Sequence, residues 1–123
     1  MLKKLSKKYE LAIISNSPKE IVDTSLKNTH LQEFFKVIVT ASDVKRIKPD
    51  KEPFELAIKK LKVKRNEVVY IGDMIYDYLG AKSAKIDFIA FVNGYGRVCD
   101  FNGLDEKYKV KDILEVVKIL EEF

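Results

Sequence analysis

Four short apolar runs constrain this chain more than any other feature. They are Leu11-Ala12-Ile13-Ile14, Val37-Ile38-Val39, Val68-Val69-Tyr70-Ile71 and Phe88-Ile89-Ala90-Phe91-Val92. A strand with one face in water alternates apolar and polar residues. A run that is apolar at every position is the mark of a strand buried on both faces, hence of a parallel sheet covered by helices. The runs predict strands over residues 11–14, 37–40, 68–71 and 88–92.

Between the runs the spacing becomes helical. Leu2, Leu5 and Tyr9 fall at i, i+3 and i+7, which reads as a short amphipathic helix before the first strand. The first run breaks at Ser15-Asn16-Ser17-Pro18, where Ser17 with Glu20 makes a capping box and Pro18 suits the first helical position. A helix is expected over residues 18–28, with His30 at its end. A polar loop over 41–49 precedes Asp50, which can cap a helix whose apolar face is Phe54, Ala57, Ile58 and Leu61. Gly80, Ala81 and Ala84 give the next helix a face of small residues for close packing on the sheet. Ile113, Val116, Val117 and Leu120 share one face of the last. The order is a helix followed by four βα units, which predicts an α/β three-layer sandwich with a mainly parallel sheet. The 123 residues suit one domain, 1–123, and a domain of that size buries roughly 65% of its unfolded surface.

Charge and cysteine content exclude several classes. The 23 basic and 19 acidic residues give a net charge of +4 and are interleaved along most of the chain. The densest basic stretch, Lys59-Lys60-Leu61-Lys62-Val63-Lys64-Arg65, carries no interleaved aromatic residue, so it reads as a solvated helix end rather than a nucleic-acid patch. Cys99 is the only cysteine, which forbids an internal disulfide and fits a reducing compartment. No run approaches the roughly 18 apolar residues of a membrane span. The basic start, Met1-Leu2-Lys3-Lys4-Leu5, is not followed by an apolar signal core. A cytoplasmic protein with neither nucleic-acid nor membrane partners is expected.

In an open α/β sheet, ligands bind beyond the carboxyl ends of the strands. Here those ends collect Ser15-Asn16, Lys48 from the loop after the second strand, Gly72-Asp73, and Asp77 one helical turn later. Each type has a task in phosphate chemistry. Two neighbouring carboxylates repel unless a cation joins them, and Mg²⁺ is the natural one for oxygen ligands. A lysine stabilises the charge on a transferring phosphoryl group. A serine at a helix N-terminus can donate to a phosphate oxygen. Taken singly, Ser15 reads more simply as part of a helix cap, Lys48 as a solvated lysine, and the aspartates as first-turn acids. Gly72-Asp73 ending a buried strand is harder to dismiss, and the combination in this order is far more specific than any member.

That order resembles the haloacid dehalogenase (HAD) superfamily, in its phosphoglycolate-phosphatase-like branch. Leu11-Ala12-Ile13-Ile14-Ser15-Asn16 is similar to the second family motif. Lys48-Pro49-Asp50 with Pro53-Phe54 resembles the third. Val69-Tyr70-Ile71-Gly72-Asp73-Met74-Ile75-Tyr76-Asp77 resembles the fourth, the G-D-x-x-x-D acid motif. Gly94-Tyr95-Gly96 also lies where this branch has such a loop. The resemblance implies a Rossmann-like core and a Mg²⁺-dependent phosphomonoester hydrolase working through an aspartyl-phosphate. It implies phosphate binding by Ser15, Asn16 and Lys48, catalytic roles for Ser15 and Lys48, metal binding by Asp73 and Asp77, and a small phosphorylated metabolite as substrate.

The family's first motif, a central strand ending in D-x-D that bears the nucleophile, has no counterpart ahead of Ser15, nor has the helical cap that follows it. Val98-Cys99-Asp100-Phe101-Asn102-Gly103 mimics that motif faintly, but it follows the fourth motif and has Asn102 where the second acid belongs, so a surface loop is expected. The chain therefore reads as a partial core. Its flanking strands should either pair directly or leave edges for a second copy or another chain to cover. A non-catalytic binding or interaction module is the alternative to the enzyme.

Overall fold

The computed structural model describes residues 2–91, 109–110 and 113–120. Each apolar run forms a strand: β1 Ala12–Ile14, β2 Val37–Val39, β3 Val69–Gly72 and β4 Asp87–Phe91, joined by a short fifth strand, β5 Lys109–Val110, that the apolar pattern did not predict. The helices are α1 Leu2–Lys8, α2 Lys19–Thr29, α3 Glu52–Leu61, α4 Ile75–Ser83 and α5 Ile113–Leu120. Every strand pairing is parallel. Val92, Gly94-Tyr95-Gly96 and the 98–103 stretch with Cys99 and Asp100 lie outside the described residues.

The helix ends follow the local chemistry, with two corrections. Pro18 rather than Ser17 is the N-cap of α2, and no side chain caps it there. The chain turns one step earlier, because the Ser17 N–H donates to Ser15 Oγ at 3.1 Å. His30 closes α2 in the left-handed conformation, φ 57°. Lys51 rather than Asp50 is the N-cap of α3, again without a side-chain cap, although Asp50 Oδ1 accepts the Glu52 N–H at 2.9 Å and so satisfies one orphan donor.

β4 shows the three layers directly. Its alternate residues Phe88 and Ala90 pack with Phe54 of α3, Ala81 of α4 and Ala84 at the α4 C-cap. Ile89, pointing the other way, packs with Val116 of α5 and with Val110. Helices therefore cover both faces of this strand, as its unbroken apolar run requires.

The described strands form two sheets, β1-β2 and β3-β4-β5, and β1 does not pair with β3. Helix α3 bridges them from one side. Its Ala57 packs on β1 and β2, while Phe54 packs into the core beneath β3 and β4. Between the two inner edges lies a cleft of about 430 Å³, lined by Ala12 and Ile14 of β1, Val69 and Ile71 of β3, Leu5 of α1 and Leu120 of α5. This cleft corrects the expectation of uniform burial. β2, β4 and β5 hold the buried strand residues, whereas all of β1 is half-buried and Ile71 of β3 is 37% exposed. Among the described residues the inner strands have no neighbour on one edge, so their side chains lose part of their cover.

The small face on α4 has a specific purpose. A methyl group at Gly80 would collide with the fully buried Phe54 ring, including Cζ at 2.9 Å. Gly80→Ala should therefore destabilise the fold by about 1–3 kcal/mol, despite alanine's better helix propensity. Urea unfolding followed by circular dichroism measures this as a lowered midpoint with an unchanged slope.

Candidate active site

Three chain turns meet at the carboxyl ends of β1 and β3. The first follows β1, where Ser15 still belongs to the ladder through its N–H, which donates to Val39 O at 2.9 Å. Its hydroxyl accepts from Ser17, holding Ser15 at the mouth of α2. The second turn is the loop after β2. A 3₁₀ turn over Ala41–Asp43, capped by Thr40 and Asp43, fixes its start. The Ala41 N–H donates to Ser17 O at 3.0 Å and the Lys19 N–H to Ser42 Oγ at 3.0 Å, so this loop is fastened to the start of α2. The third turn is Gly72-Asp73-Met74, between β3 and α4.

Asn16 joins the first two turns. Its Nδ2 donates to Lys48 O at 3.2 Å, and its Oδ1 accepts the Lys48 N–H at 3.0 Å. The amide thus copies a backbone pairing and fixes the Lys48 main chain. Asn16, expected to bind phosphate, has its side chain committed to holding Lys48.

Lys48 is buried, at 7% exposure. Its Nζ donates to Asp77 Oδ1 at 2.7 Å, to the Tyr70 hydroxyl at 2.9 Å and to Ile14 O at 3.1 Å. An ammonium has three hydrogens, and all three are placed. The rings of Tyr70 and Tyr76 lie 5.4 and 5.5 Å from the same nitrogen, within cation–π range. The reading of Lys48 as a solvated surface lysine is therefore wrong for this fold.

Tyr70 and Tyr76 are the site residues that motif reasoning missed. The Tyr70 hydroxyl lies 3.3 Å from both Ile14 O and Asp77 Oδ1, its single hydrogen serving one of them at a time. Burial first, then the Asp77 charge, push the Tyr70 phenol well above its ordinary range, so it remains a neutral donor. Burial, then Asp77 and Asp73, raise Tyr76 likewise. The sequence held a signal for Tyr70: it is the only polar tip inside an apolar strand, and a buried tyrosine hydroxyl needs a partner.

Asp77 is buried at the start of α4, and Asp73 stands half-buried at the end of β3. Asp77 Oδ2 accepts the N–H groups of Asp73 at 3.3 Å and Met74 at 3.1 Å. Among the described residues no cluster of three or more His, Cys, Asp or Glu side chains is placed to hold a metal. Asp73 fits a cation ligand by its place at the ligand edge. Asp77, expected to share the ion, has both oxygens engaged within the protein.

Elsewhere, Arg65 in the basic stretch forms a two-pronged ion pair with Glu55 at 2.8 and 2.9 Å. No helix among the described residues is long and apolar enough to cross a membrane.

The Lys48–Asp77 pair has an energetic consequence. Removing one partner leaves a buried charge uncompensated, which costs about 3–5 kcal/mol, whereas replacing both by apolar groups of similar size is close to neutral. Lys48→Met should thus destabilise strongly, and Asp77→Leu added to it should recover most of the loss. Denaturant midpoints of the two variants and the parent chain measure the difference.

Comparison with known proteins bears on the same residues. The family model described as haloacid dehalogenase-like hydrolase matches residues 1–91. Pyrophosphatase PpaX of Halalkalibacterium halodurans is 40% identical over 78 residues, covering 63% of this chain and 36% of that protein. The HAD phosphatase from Thermococcus onnurineus superposes with a TM-score of 0.86 at 31% identity, over 97% of this chain and 54% of that one. A predicted phosphoglycolate phosphatase from Haemophilus somnus gives 0.87 at 22% identity, over 97% and 53%, a likeness of fold. The chain spans about a third of the length of the curated relatives it matches, and about half that of the solved structures.

Proposed function

The chain belongs to the haloacid dehalogenase-like hydrolase family, and from that membership we propose that it forms part of a cytoplasmic, Mg²⁺-dependent phosphomonoester hydrolase acting through an aspartyl-phosphate. The observation that carries this reading is the convergence of Ser15, Lys48 and Asp73 at the carboxyl ends of two strands that flank one cleft. The hydrolase relatives favour it over a non-catalytic module.

The Ser15 hydroxyl donates to a phosphoryl oxygen at the mouth of α2. Lys48 stabilises the charge that spreads over the equatorial oxygens during transfer. Asn16 keeps the Lys48 backbone in register, so that the ammonium does not drift from the reacting group. Asp73 would hold Mg²⁺, which when bound polarises a phosphoryl oxygen. The nucleophilic carboxylate is not among the residues gathered here. An apolar strand entering the β1–β3 cleft would bring it to this edge. Ala12 and Ile14 suit that role. The Lys36 N–H bonds Leu11 O and the Ser15 N–H bonds Val39 O, so odd positions of β1 turn to β2 and even ones turn to the cleft. The substrate is a small phosphorylated metabolite, and the pyrophosphatase named among the relatives adds a phosphoanhydride to the candidates.

A phosphate-release assay tests this reading with p-nitrophenyl phosphate, phosphoglycolate and pyrophosphate. The 123-residue chain in Mg²⁺ should release no phosphate above a heat-inactivated control. Supplying an N-terminal D-x-D strand segment, fused or in trans, should establish turnover. Lys48→Ala and Asp73→Ala should then each lower kcat by about 10²–10³. Robust release by the chain alone, abolished by Asp100→Ala, would instead place the nucleophile in the 98–103 stretch.

A further inference from the structure

An ionised carboxylate offers about four lone-pair positions. At Asp77 three donors are always in place, Lys48 Nζ on Oδ1 and the Asp73 and Met74 N–H groups on Oδ2, and the Tyr70 hydroxyl is a fourth on Oδ1 when its hydrogen is not on Ile14 O. The side chain is buried, and its neighbour Gly72 leaves the room it occupies. A Cβ at residue 72 would lie 2.5 Å from Asp77 Cβ and 2.7 Å from Cγ. A cation on Asp77 would have to displace the Lys48 ammonium from 2.7 Å or strip the N–H donors of Asp73 and Met74 in the turn before α4. It would also meet that ammonium as a like charge in a buried site.

We propose that Asp77 is a positioning residue for Lys48 rather than a metal ligand. It supplies the charged contact that holds the ammonium against Ile14 O at the end of β1, and any cation at this edge is left to the Asp73 side. The other two Lys48 contacts, at 2.9 and 3.1 Å, are to neutral oxygens. A phosphoryl oxygen exchanges with one of those, while the charged contact to Asp77 persists. The proposal depends on the phosphoryl-transfer reading only for the use to which Lys48 is put.

Nuclear magnetic resonance of the intact chain tests it through two signals, the Lys48 side-chain ammonium and the Asp73 backbone amide. Three internal hydrogen bonds should make the ammonium observable. Added Mg²⁺ should shift the Asp73 amide and leave the Lys48 signal in place. Asp77→Asn, which keeps the shape and removes the charge, should move or abolish the Lys48 signal and retain the Mg²⁺ response. Asp73→Asn should do the reverse. A Lys48 signal displaced by Mg²⁺ in the parent chain would overturn the proposal, and that measurement stands even where Asp77→Asn fails to fold. So would loss of the Mg²⁺ response in Asp77→Asn with the Lys48 signal unmoved. Absence of any Mg²⁺ response in the parent would count against Asp73 as a ligand and so against the proposed function. The positioning role would then be read from the Lys48 signal of Asp77→Asn alone.

Discussion

A lysine and an aspartate buried against each other, 2.7 Å apart, set the terms for everything around them. Taking both charges out of water costs several kcal/mol per ion, and their attraction offsets this only when every remaining lone pair and hydrogen is placed. The surrounding residues meet that condition. Ile14 O and Tyr70 complete the ammonium, and the backbone N–H groups of Asp73 and Met74 complete the carboxylate. The requirement extends further out. Residue 72 must be glycine to admit the carboxylate, and Asn16 fixes the main chain from which Lys48 rises. Because Lys48 comes from the loop after β2 and Asp77 from α4, the pair also ties the two sheets together at the end where they do not share a ladder.

Away from that tie the sheets part, and α3 is what spans them. Phe54 and Ala57, three residues apart on one helical face, anchor in different cores. The cleft beside them has parallel strands on two sides and apolar residues from α1, α3 and α5 above and below. A slot with that lining lets an extended apolar segment satisfy its backbone on either neighbour, as a middle strand does in any parallel sheet. The carboxyl end of such a segment would emerge between Ser15 and Asp73, in front of Lys48. Cleft and site are therefore two ends of one feature.

Much of this was legible in the sequence because each strand is short, apolar throughout and sharply ended. His30 marks a helix end as its chemistry suggests, Asp50 stands one residue outside the cap of its helix, and Ser15, Lys48 and Asp73 come to the edge where strand direction puts them. What was hidden is long-range. The hydroxyl of Tyr70 lies in an apolar run, and its partners Ile14 and Lys48 are 56 and 22 residues away. Asn16 looks like a ligand residue beside Ser15, and only the fold shows that it pairs with a backbone 32 residues distant. The apolar pattern of β1 and β3 reports burial that the cleft leaves incomplete, since a one-dimensional pattern records what a strand is suited to, not which neighbours are present. The two-residue β5 is too short to carry any periodicity.

The central claim is that Ser15 and Lys48 form an oxyanion site at the mouth of this cleft. Crystals of the chain soaked in orthotungstate, a heavy-atom mimic of phosphate, test it most directly. The account predicts an anomalous peak within hydrogen-bonding distance of Ser15 Oγ and Lys48 Nζ, with Asp77 still bonded to the ammonium, and no such peak in the double variant Lys48→Met with Asp77→Leu. A saturating soak that leaves this edge empty, or places tungstate only on other lysines, would contradict it.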